Sequence, residues 1–265
     1  MCTLLILRHV HPEWPLILAS NRDELYARPT TGPQVLAGSP RILVPGLDGV
    51  RGGSWMGVTE GGLFVGLTNQ RGSQAQGLAP RSRGEVVLSA LGTGNIDAIE
   101  RYLDTLEPAG FNAFNLLYGD AHTLRVAYAR PSIPRVVRED VPAGIHVLPN
   151  DVLDSPELPK VERARMLAAE YTRRPWPELA RALQGVMADH VLPPEEQSPE
   201  PPPEAAFSRE QARQYQALCI HTPAYGTRSS ALLALAPGRV GHFLVSDKPP
   251  CQQDFRDFGG LLSPQ

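Results

Sequence analysis

The sequence predicts an α+β protein built as a four-layer αββα sandwich, in which two antiparallel sheets stack between outer layers of helices. Two observations support this fold class. Strand-like and helix-like runs alternate in blocks, and most connections between the strand-like runs are of hairpin length. The strand-like runs are also apolar on both faces, so each sheet needs a covering layer on either side.

The first half of the sandwich begins with two hairpins. Residues 3–9 and 15–20 are short apolar runs separated by a proline-containing connection, and they predict a pair of buried strands. Residues 54–59 and 62–68 flank a Glu-Gly turn and predict a second hairpin.

Helical periodicity follows the second hairpin. Apolar residues spaced by three and four positions predict a helix over residues 96–106, and residues 82–91 predict another helix leading into it. Strands are then expected at 113–119, 123–129 and 145–148.

The last third predicts two more amphipathic helices, over residues 161–171 and 179–187, and closing strands near 217–222, 229–235 and 239–246.

A polar, proline-rich loop over residues 193–204 separates the last predicted helices from the closing strands and cannot pack a core. The closing strands alone are too few to form a second domain. Residues 1–265 are therefore predicted to form a single domain.

Charge and hydropathy limit the kinds of partner. The 25 basic residues nearly balance the 28 acidic ones, which gives no reason to expect nucleic acid. No apolar run approaches the roughly 20 residues that span a bilayer, and the run after Met1 is too short for a signal peptide. The sequence predicts a cytoplasmic protein without a transmembrane segment, acting on a small-molecule ligand or substrate, and specifies no oligomeric state.

The cysteines and histidines do not predict a metal site. Cys2, Cys219 and Cys251 are far apart and odd in number, so they form no disulfide framework, and no pair has the spacing of zinc ligands. His9 and His11 would share one face of a strand, but a half-exposed strand end explains them better.

Cys2 is the strongest candidate for chemistry. Its small side chain favours removal of Met1, which would make Cys2 the N-terminus. A free α-amine has a pKa of about 8, close enough to neutrality to act as a general base. Thiol and base would then belong to one residue. The alternative is an incidental cysteine near the start of the chain.

Four polar residues, Asn21 to Glu24, follow the second predicted strand. If the first two strands form a hairpin, this segment returns beside Cys2. Asp23 or Arg22 would then hold the α-amine and the thiolate in position. The alternative is a solvated turn.

Further candidates lie at other strand ends. Asn69 follows the strand over 62–68 with the parity of its inward-facing residues, and Asn150 ends a later strand in the same way. A side-chain amide there can donate to a developing oxyanion, a contribution of roughly 3 kcal/mol, although Asn is also a common turn residue. Arg228 opens a late strand and is either a solvated charge or an inward group that lowers the pKa of the Cys2 thiol.

Seven motifs occur in a fixed order along the chain: Met1-Cys2-Thr3, Asn21-Arg22-Asp23-Glu24, Gly52-Gly53-Ser54-Trp55-Met56-Gly57, Leu67-Thr68-Asn69, Arg83-Gly84-Glu85, Phe111-Asn112 with Phe114-Asn115-Leu116, and Tyr225-Gly226-Thr227-Arg228. With these motifs the chain resembles, over nearly its whole length, the NRDE family, also called the transport and Golgi organisation protein 2 family. That family is similar, more distantly, to the choloylglycine hydrolase and penicillin V acylase group of cysteine N-terminal-nucleophile amidases.

The resemblance to that group implies the N-terminal-nucleophile hydrolase fold and a role for each candidate. Cys2 matches the nucleophile and Asp23 the carboxylate beside the α-amine. Asn69 matches an oxyanion-hole asparagine, Asn150 a second asparagine near the nucleophile, and Arg228 a late active-site arginine.

One position departs from the pattern of the amidases. They carry an arginine three residues before the aspartate, where this chain has Ser20. Arg22 stands directly before Asp23 instead, and it is the candidate to replace the missing arginine.

Two functions are consistent with these residues. The first is hydrolysis of a non-peptide amide or a thioester through an acyl-Cys2 intermediate, which needs no cofactor. The second, implied by the family resemblance, is non-catalytic binding and trafficking of haem or of acyl-CoA and lipid. Haem would require an axial ligand from Cys2, His9 or His221, and the sequence has no CxxCH motif. A purely structural scaffold would leave Cys2 and the polar strand ends unexplained.

Overall fold

The computed structural model describes residues 2–71, 81–201 and 207–262 of the chain. The strands within these ranges are β1 Cys2–Arg8, β2 Leu16–Leu25, β3 Gln34–Leu36, β4 Ile42–Val44, β5 Met56–Thr59, β6 Phe64–Asn69, β7 Phe114–Gly119, β8 Leu124–Ala129, β9 Val137–Asp140, β10 Gly144–Leu148, β11 Tyr225–Ala236, β12 Arg239–Ser246 and β13 Arg256–Asp257. The α-helices are α1 Arg83–Gly92, α2 Ile96–Asp104, α3 Pro159–Ala169, α4 Trp176–Met187 and α5 Arg209–Gln214.

The strands form two antiparallel sheets. The first has the order β10-β1-β2-β11-β12-β13, and the second follows chain order from β3 to β9. In the first sheet β2 lies between β1 and β11, so its backbone is paired on both edges. The centre of this sheet therefore joins β1 and β2, from the beginning of the chain, to β11, from its last quarter.

Three apolar clusters explain why the sheets stack in four layers. Leu4 and Ile6 of β1 face the second sheet, where they join residues such as Phe64 in the core between the sheets. The alternate residues of β1, Leu5 and Leu7, face the other way and pack against α3 and α4. A third cluster joins the outer face of the second sheet to α1 and α2. The predicted αββα sandwich is confirmed.

Two predicted element boundaries are wrong. Strand β2 continues to Leu25, so residues 21–24 lie inside the strand and do not follow it. Their polarity predicted a strand end, but their backbone N–H and C=O groups pair with β1 on one side and β11 on the other. The strand predicted near 217–222 is also wrong: this segment lies between α5 and β11, and His221 forms only an isolated bridge with Gly226.

Several short elements escaped prediction, among them β3 and β4, which are three residues each. Such segments are too short to show a periodicity. The proline-rich loop over 193–204 is described only as far as residue 201, and the single-domain organisation stays a prediction. Within the described ranges, every helix falls short of the length and apolar character needed to cross a bilayer.

Candidate active site

Cys2 lies at the start of β1, where the layer between the two sheets opens into a cavity. Its side chain has the parity of Leu4 and Ile6, so it faces the second sheet. The cavity has a volume of about 250 Å³, and Cys2, Arg22, Asp23 and Asn69 contribute to its lining. The packed strands below it fix the position of the thiol.

Arg22 is the cation that lies directly opposite Cys2 on the neighbouring strand. The two residues are direct partners across the β1–β2 pair, so their side chains share the inner face of the sheet. The guanidinium carbon lies 4.3 Å from the centroid of the Trp55 ring, and Nη1 donates to Thr30 Oγ1 at 3.0 Å. Burial lowers the pKa of Arg22, while the negative charges on Cys2 and Glu24 raise it by less. These contacts hold the Arg22 guanidinium at the cavity.

Asp23 is buried on the same strand and is held by β11. Thr227 Oγ1 donates to Asp23 Oδ1 at 2.6 Å, and the same hydroxyl accepts the backbone N–H of Ile220 at 2.9 Å. Burial raises the pKa of the Asp23 carboxyl, while the charge of Lys160 and the bond from Thr227 lower it. The register between β2 and β11 thus fixes one carboxylate oxygen near the start of β1.

Lys160 is a buried cation behind Asp23 that the sequence analysis missed. It lies at the start of α3, is 2% exposed, and its Nζ donates to the carbonyl oxygen of Tyr215 at 3.2 Å. Burial lowers the pKa of Lys160, and the charges on Asp23 and Cys2 raise it. The spacing in the sequence could have revealed this burial, because Lys160 shares one helix face with Ala164 and Ala168, which are both fully buried.

The environment of the thiol favours its protonated form. Burial raises the pKa of Cys2, and the Asp23 carboxylate adds to this, while the Asp23 backbone hydrogen bond and Arg22 lower the pKa by less. The site therefore needs a base to remove the thiol proton. This differs from the expectation that a neighbouring arginine would lower the pKa of the thiol below its ordinary value.

Arg228 lies at a β-bulge between Thr227 and Ser229. Its Nη1 donates to the carbonyl oxygens of Leu25, Tyr26 and Arg28. It lines a neighbouring cavity that also contacts Arg22 and Trp55, and it is not among the described residues around Cys2. Through these hydrogen bonds Arg228 stabilises the turn after β2.

The two asparagines occupy different positions. Asn69, at the end of β6, lines the Cys2 cavity. Asn150 is buried behind it, and its Nδ2 donates to the backbone carbonyl oxygen of Asn69 at 2.8 Å. Thr68 reinforces this link between the sheets by donating to the carbonyl oxygen of Pro149 at 2.8 Å. Asn150 thus positions the backbone that carries Asn69.

Close backbone contact between two glycines shapes one wall of the cavity. A Cβ on Gly53 would lie 2.4 Å from the carbonyl carbon of Gly84, far inside the contact limit. The turn before β5 therefore touches the start of α1, and both glycines line the cavity. This contact gives a physical reason for glycine in two of the sequence motifs.

The cavity wall is rich in arginine. Among the residues that the structure describes, five arginines line it against three acidic residues, Asp23, Glu24 and Asp48; the arginines are Arg22, Arg28, Arg51, Arg81 and Arg83. Arg28 is neutralised by Asp48 through bonds of 2.7 and 2.6 Å. Burial lowers the pKa of Arg83, which nevertheless remains a cation at neutral pH. The remaining excess of positive charge suits an anionic ligand.

His9 and His11 do not combine into a site. His11 is buried, its Nδ1 accepts the backbone N–H of Trp14 at 3.1 Å, and its Nε2 contacts the carbonyl oxygen of Arg174. Both ring nitrogens therefore serve the local fold, whereas His9 is exposed.

Comparison with solved structures defines the class of fold. Two variants of the conjugated bile acid hydrolase from Clostridium perfringens superpose on the chain with TM-scores of 0.54 and sequence identities of 10% and 11%. The matches cover 97% of this chain and 96% and 97% of theirs. The chain has the fold of N-terminal-nucleophile hydrolases.

Sequence comparison defines the family. The sequence profile described as Transport and Golgi organisation 2 matches residues 1–244, and the chain belongs to this family. Transport and Golgi organization protein 2 homolog from Homo sapiens is 29% identical, covering 90% of this chain and 88% of its own length. The homolog from Bos taurus is 33% identical, covering 85% of this chain and 84% of its own length.

Proposed function

We propose that the chain is a hydrolase that cleaves a non-peptide amide or a thioester in an anionic small molecule, through an acyl-Cys2 intermediate. The observation that carries this proposal is the shared cavity of Cys2, Arg22, Asp23 and Asn69. The structural relatives are hydrolases by name, which supports the class of reaction.

Removal of Met1 is required for the first step. The freed α-amine of Cys2 accepts the thiol proton, and the sulfur attacks the carbonyl carbon of the substrate. The amine then gives this proton to the leaving nitrogen or sulfur, and the acyl group remains on Cys2 as a thioester. Water hydrolyses that thioester with the amine again acting as base. Burial raises the pKa of the Cys2 thiol, so a base that accepts the thiol proton assists the attack.

Two residues are assigned to charge stabilisation. Asn69 donates its side-chain N–H to the oxyanion that forms during each attack, with its backbone held by Asn150. Asp23 stabilises the α-ammonium that forms when the amine takes the proton, and Thr227 keeps the carboxylate in place. Arg22 and the other cavity arginines bind the negative charge of the substrate.

The second candidate function is binding of acyl-CoA, lipid or haem without chemistry. The arginine-rich wall favours an anionic ligand whether or not that ligand is cleaved. Haem is the weaker choice in this group, because the described lining contains no histidine and leaves Cys2 as the candidate axial ligand. A cytoplasmic location is part of both proposals.

Turnover assays separate the two functions. Protein verified by intact mass to lack Met1 is tested against acylated amines and acyl thioesters that differ in the charge of their leaving groups. We expect turnover of anionic substrates, loss of turnover in Cys2→Ser, and loss in a form that carries an uncleaved N-terminal tag. Ligand binding that survives the tag, with no turnover of any substrate, would favour the binding function.

A further inference from the structure

Four metal-ligating side chains meet outside the Cys2 cavity, although they are spread over the last third of the chain. His190 follows α4, Cys219 and His221 lie between α5 and β11, and Cys251 lies in the turn after β12. One potential ligand atom from each side chain lies within 4.8 Å of the other three. We call this group the Cys/His cluster.

Three of the four ligand atoms lie at distances that match the edges of a tetrahedral zinc site. Bonds of about 2.3 Å to sulfur and about 2.0 Å to nitrogen give tetrahedron edges of about 3.8 Å between sulfurs and about 3.5 Å between sulfur and nitrogen. The Cys219 and Cys251 sulfurs are 3.8 Å apart, and His221 Nε2 lies 3.7 Å from the first and 3.3 Å from the second. A disulfide would instead require about 2.05 Å.

The fourth member is oriented by its own hydrogen bond. His190 Nδ1 lies 3.0 Å from the backbone carbonyl oxygen of Cys219, which can accept only if Nδ1 carries the proton. That tautomer leaves the lone pair on Nε2. The His190 and His221 rings lie 5.0 Å apart at 42°, so they are tilted rather than stacked. A ring N–H donated to a backbone carbonyl is the usual outer contact of a metal-bound histidine.

The backbone around the cluster is already fixed. The N–H of Cys219 donates to the carbonyl oxygen of Asp189 at 2.8 Å, and Arg163 binds the Asp189 carboxylate through two nitrogens. Gln252 N donates to the carbonyl oxygen of Pro249 at 2.9 Å, closing the turn that carries Cys251. The ligand positions are thus set by contacts outside the cluster.

We propose that His190, Cys219, His221 and Cys251 bind one structural Zn²⁺ ion. Two sulfurs and two imidazole nitrogens are a donor set that zinc prefers, and four protein ligands leave no open position for catalysis. Binding releases two thiol protons and gives a site with no net charge: the dication is balanced by two thiolates. The ion ties the end of α4, the approach to β11 and the turn after β12 together.

The site is connected to the Cys2 cavity through Ile220, the residue between two of the ligands. The backbone of Ile220 exchanges hydrogen bonds with Thr227, which in turn binds Asp23. The zinc ion thereby supports the strand that holds the carboxylate. Because the four ligands lie outside the cavity lining, the zinc site does not depend on whether the cavity is catalytic.

Metal content under reducing conditions tests the proposal. Protein stripped with a chelator and exchanged into a thiol-free phosphine reductant is reloaded with zinc chloride and examined by native mass spectrometry. We expect one zinc per chain, with a mass gain of one zinc less two protons. Cys251→Ser and His190→Gln should weaken zinc binding at least about tenfold. Cys2→Ser is the matched control, since it removes the cysteine outside the cluster, and it should keep the metal.

Cobalt gives a second readout that does not depend on variants. Co²⁺ in the wild-type site should show the visible absorption of a tetrahedral thiolate complex, and zinc should displace it. The proposal is overturned if reduced wild type holds no more zinc than Cys251→Ser. It is equally overturned if Cys219 and Cys251 form a disulfide and their reduction yields no metal binding.

Discussion

The cysteines of this chain lie in two regions that are built in different ways. Cys2 and its polar neighbours project from adjacent strands, so the register of β1, β2 and β11 sets their positions. The Cys/His cluster is assembled from segments between regular elements, with His190 29 residues before Cys219 and Cys251 30 residues after His221. The Cys2 thiol has arginine and a carboxylate around it, whereas the other two thiols have imidazoles.

This difference decides what each sulfur can do. Under the proposed function, Cys2 attacks a carbonyl group with its own amine as the base, and Asp23 and Asn69 lie at the same cavity. Under the zinc proposal, the two thiols and two imidazoles of the Cys/His cluster bind a cation and stay inert. Substitutions in the cavity should therefore change turnover and leave zinc content unchanged.

Beyond the nucleophile itself, the largest expected effect on the cavity comes from Asn69→Ala. Loss of the oxyanion donor should lower kcat by about 10²–10³-fold, roughly 3–4 kcal/mol, with little change in stability. Asn95→Ala is the matched control: Asn95 caps α2 through the N–H of Ala98, so this change costs about 1 kcal/mol of stability without touching turnover. Equal kcat values for Asn69→Ala and wild type would remove Asn69 from the site.

Lys160→Met should change the pH dependence of turnover. The positive charge of Lys160 lowers the pKa of Asp23, so its removal lets that pKa rise and Asp23 becomes protonated at higher pH. The acid limb of the kcat/KM profile should move to higher pH. Turnover should fall about severalfold at the acid end and change about twofold or less on the plateau.

The exposed Lys248 provides the control for this prediction, as Lys248→Met. A uniform loss of turnover at every pH, accompanied by a lower Tm, would instead indicate that Lys160 serves only the packing of α3.

Asp48→Asn should have the smallest effect. Burial raises the pKa of the Asp48 carboxyl, but the bonds from Arg28 and the Val50 N–H lower it by more, so the folded pKa lies below the ordinary value of about 3.9. The stabilisation is present above about pH 3.9 and is lost as the pH falls through the folded pKa. The substitution should cost about 1 kcal/mol at neutral pH and flatten the acid dependence of the unfolding free energy.

Urea unfolding at neutral and acid pH measures this effect. Asp140→Asn is the matched control, because Asp140 also pairs with an arginine but its side chain is 74% exposed. An acid dependence unchanged by Asp48→Asn would show that the Arg28–Asp48 pair adds no stability.

The regular geometry of strands explains why Cys2, Arg22, Asp23 and Asn69 meet at one cavity, whereas their roles stay predictions. Once β1 and β2 form a hairpin, Cys2 must lie beside Arg22 and Asp23. Asn69 reaches the cavity from the end of β6, although it has the parity of Val65 and Leu67, which pack against α1 and α2. Arg228 was harder to place, since the bulge beside Thr227 breaks the alternation of β11. Lys160 was missed because a lysine in the first turn of a helix is usually solvated, although its spacing from Ala164 placed it on the buried face.

The Cys/His cluster could not be predicted from spacing. Zinc motifs that are readable in sequence hold their ligands in short, closely spaced loops, whereas here only Cys219 and His221 are close together. The segment near 217–222 was predicted as a strand, which would have put Cys219 and His221 on one face without explaining His190 or Cys251. Only the packing of α4 against the first sheet brings His190 to this place.

Covalent trapping tests the central claim most directly. Protein verified to lack Met1 is incubated with a small acyl thioester, and intact mass with peptide mapping locates the adduct. We predict one acyl group, on Cys2, absent from Cys2→Ser, while Cys251 reacts only after zinc has been removed by a chelator. Acylation of Cys2 and Cys251 at equal rates in the zinc-loaded protein, or no adduct on Cys2 at all, would contradict the account.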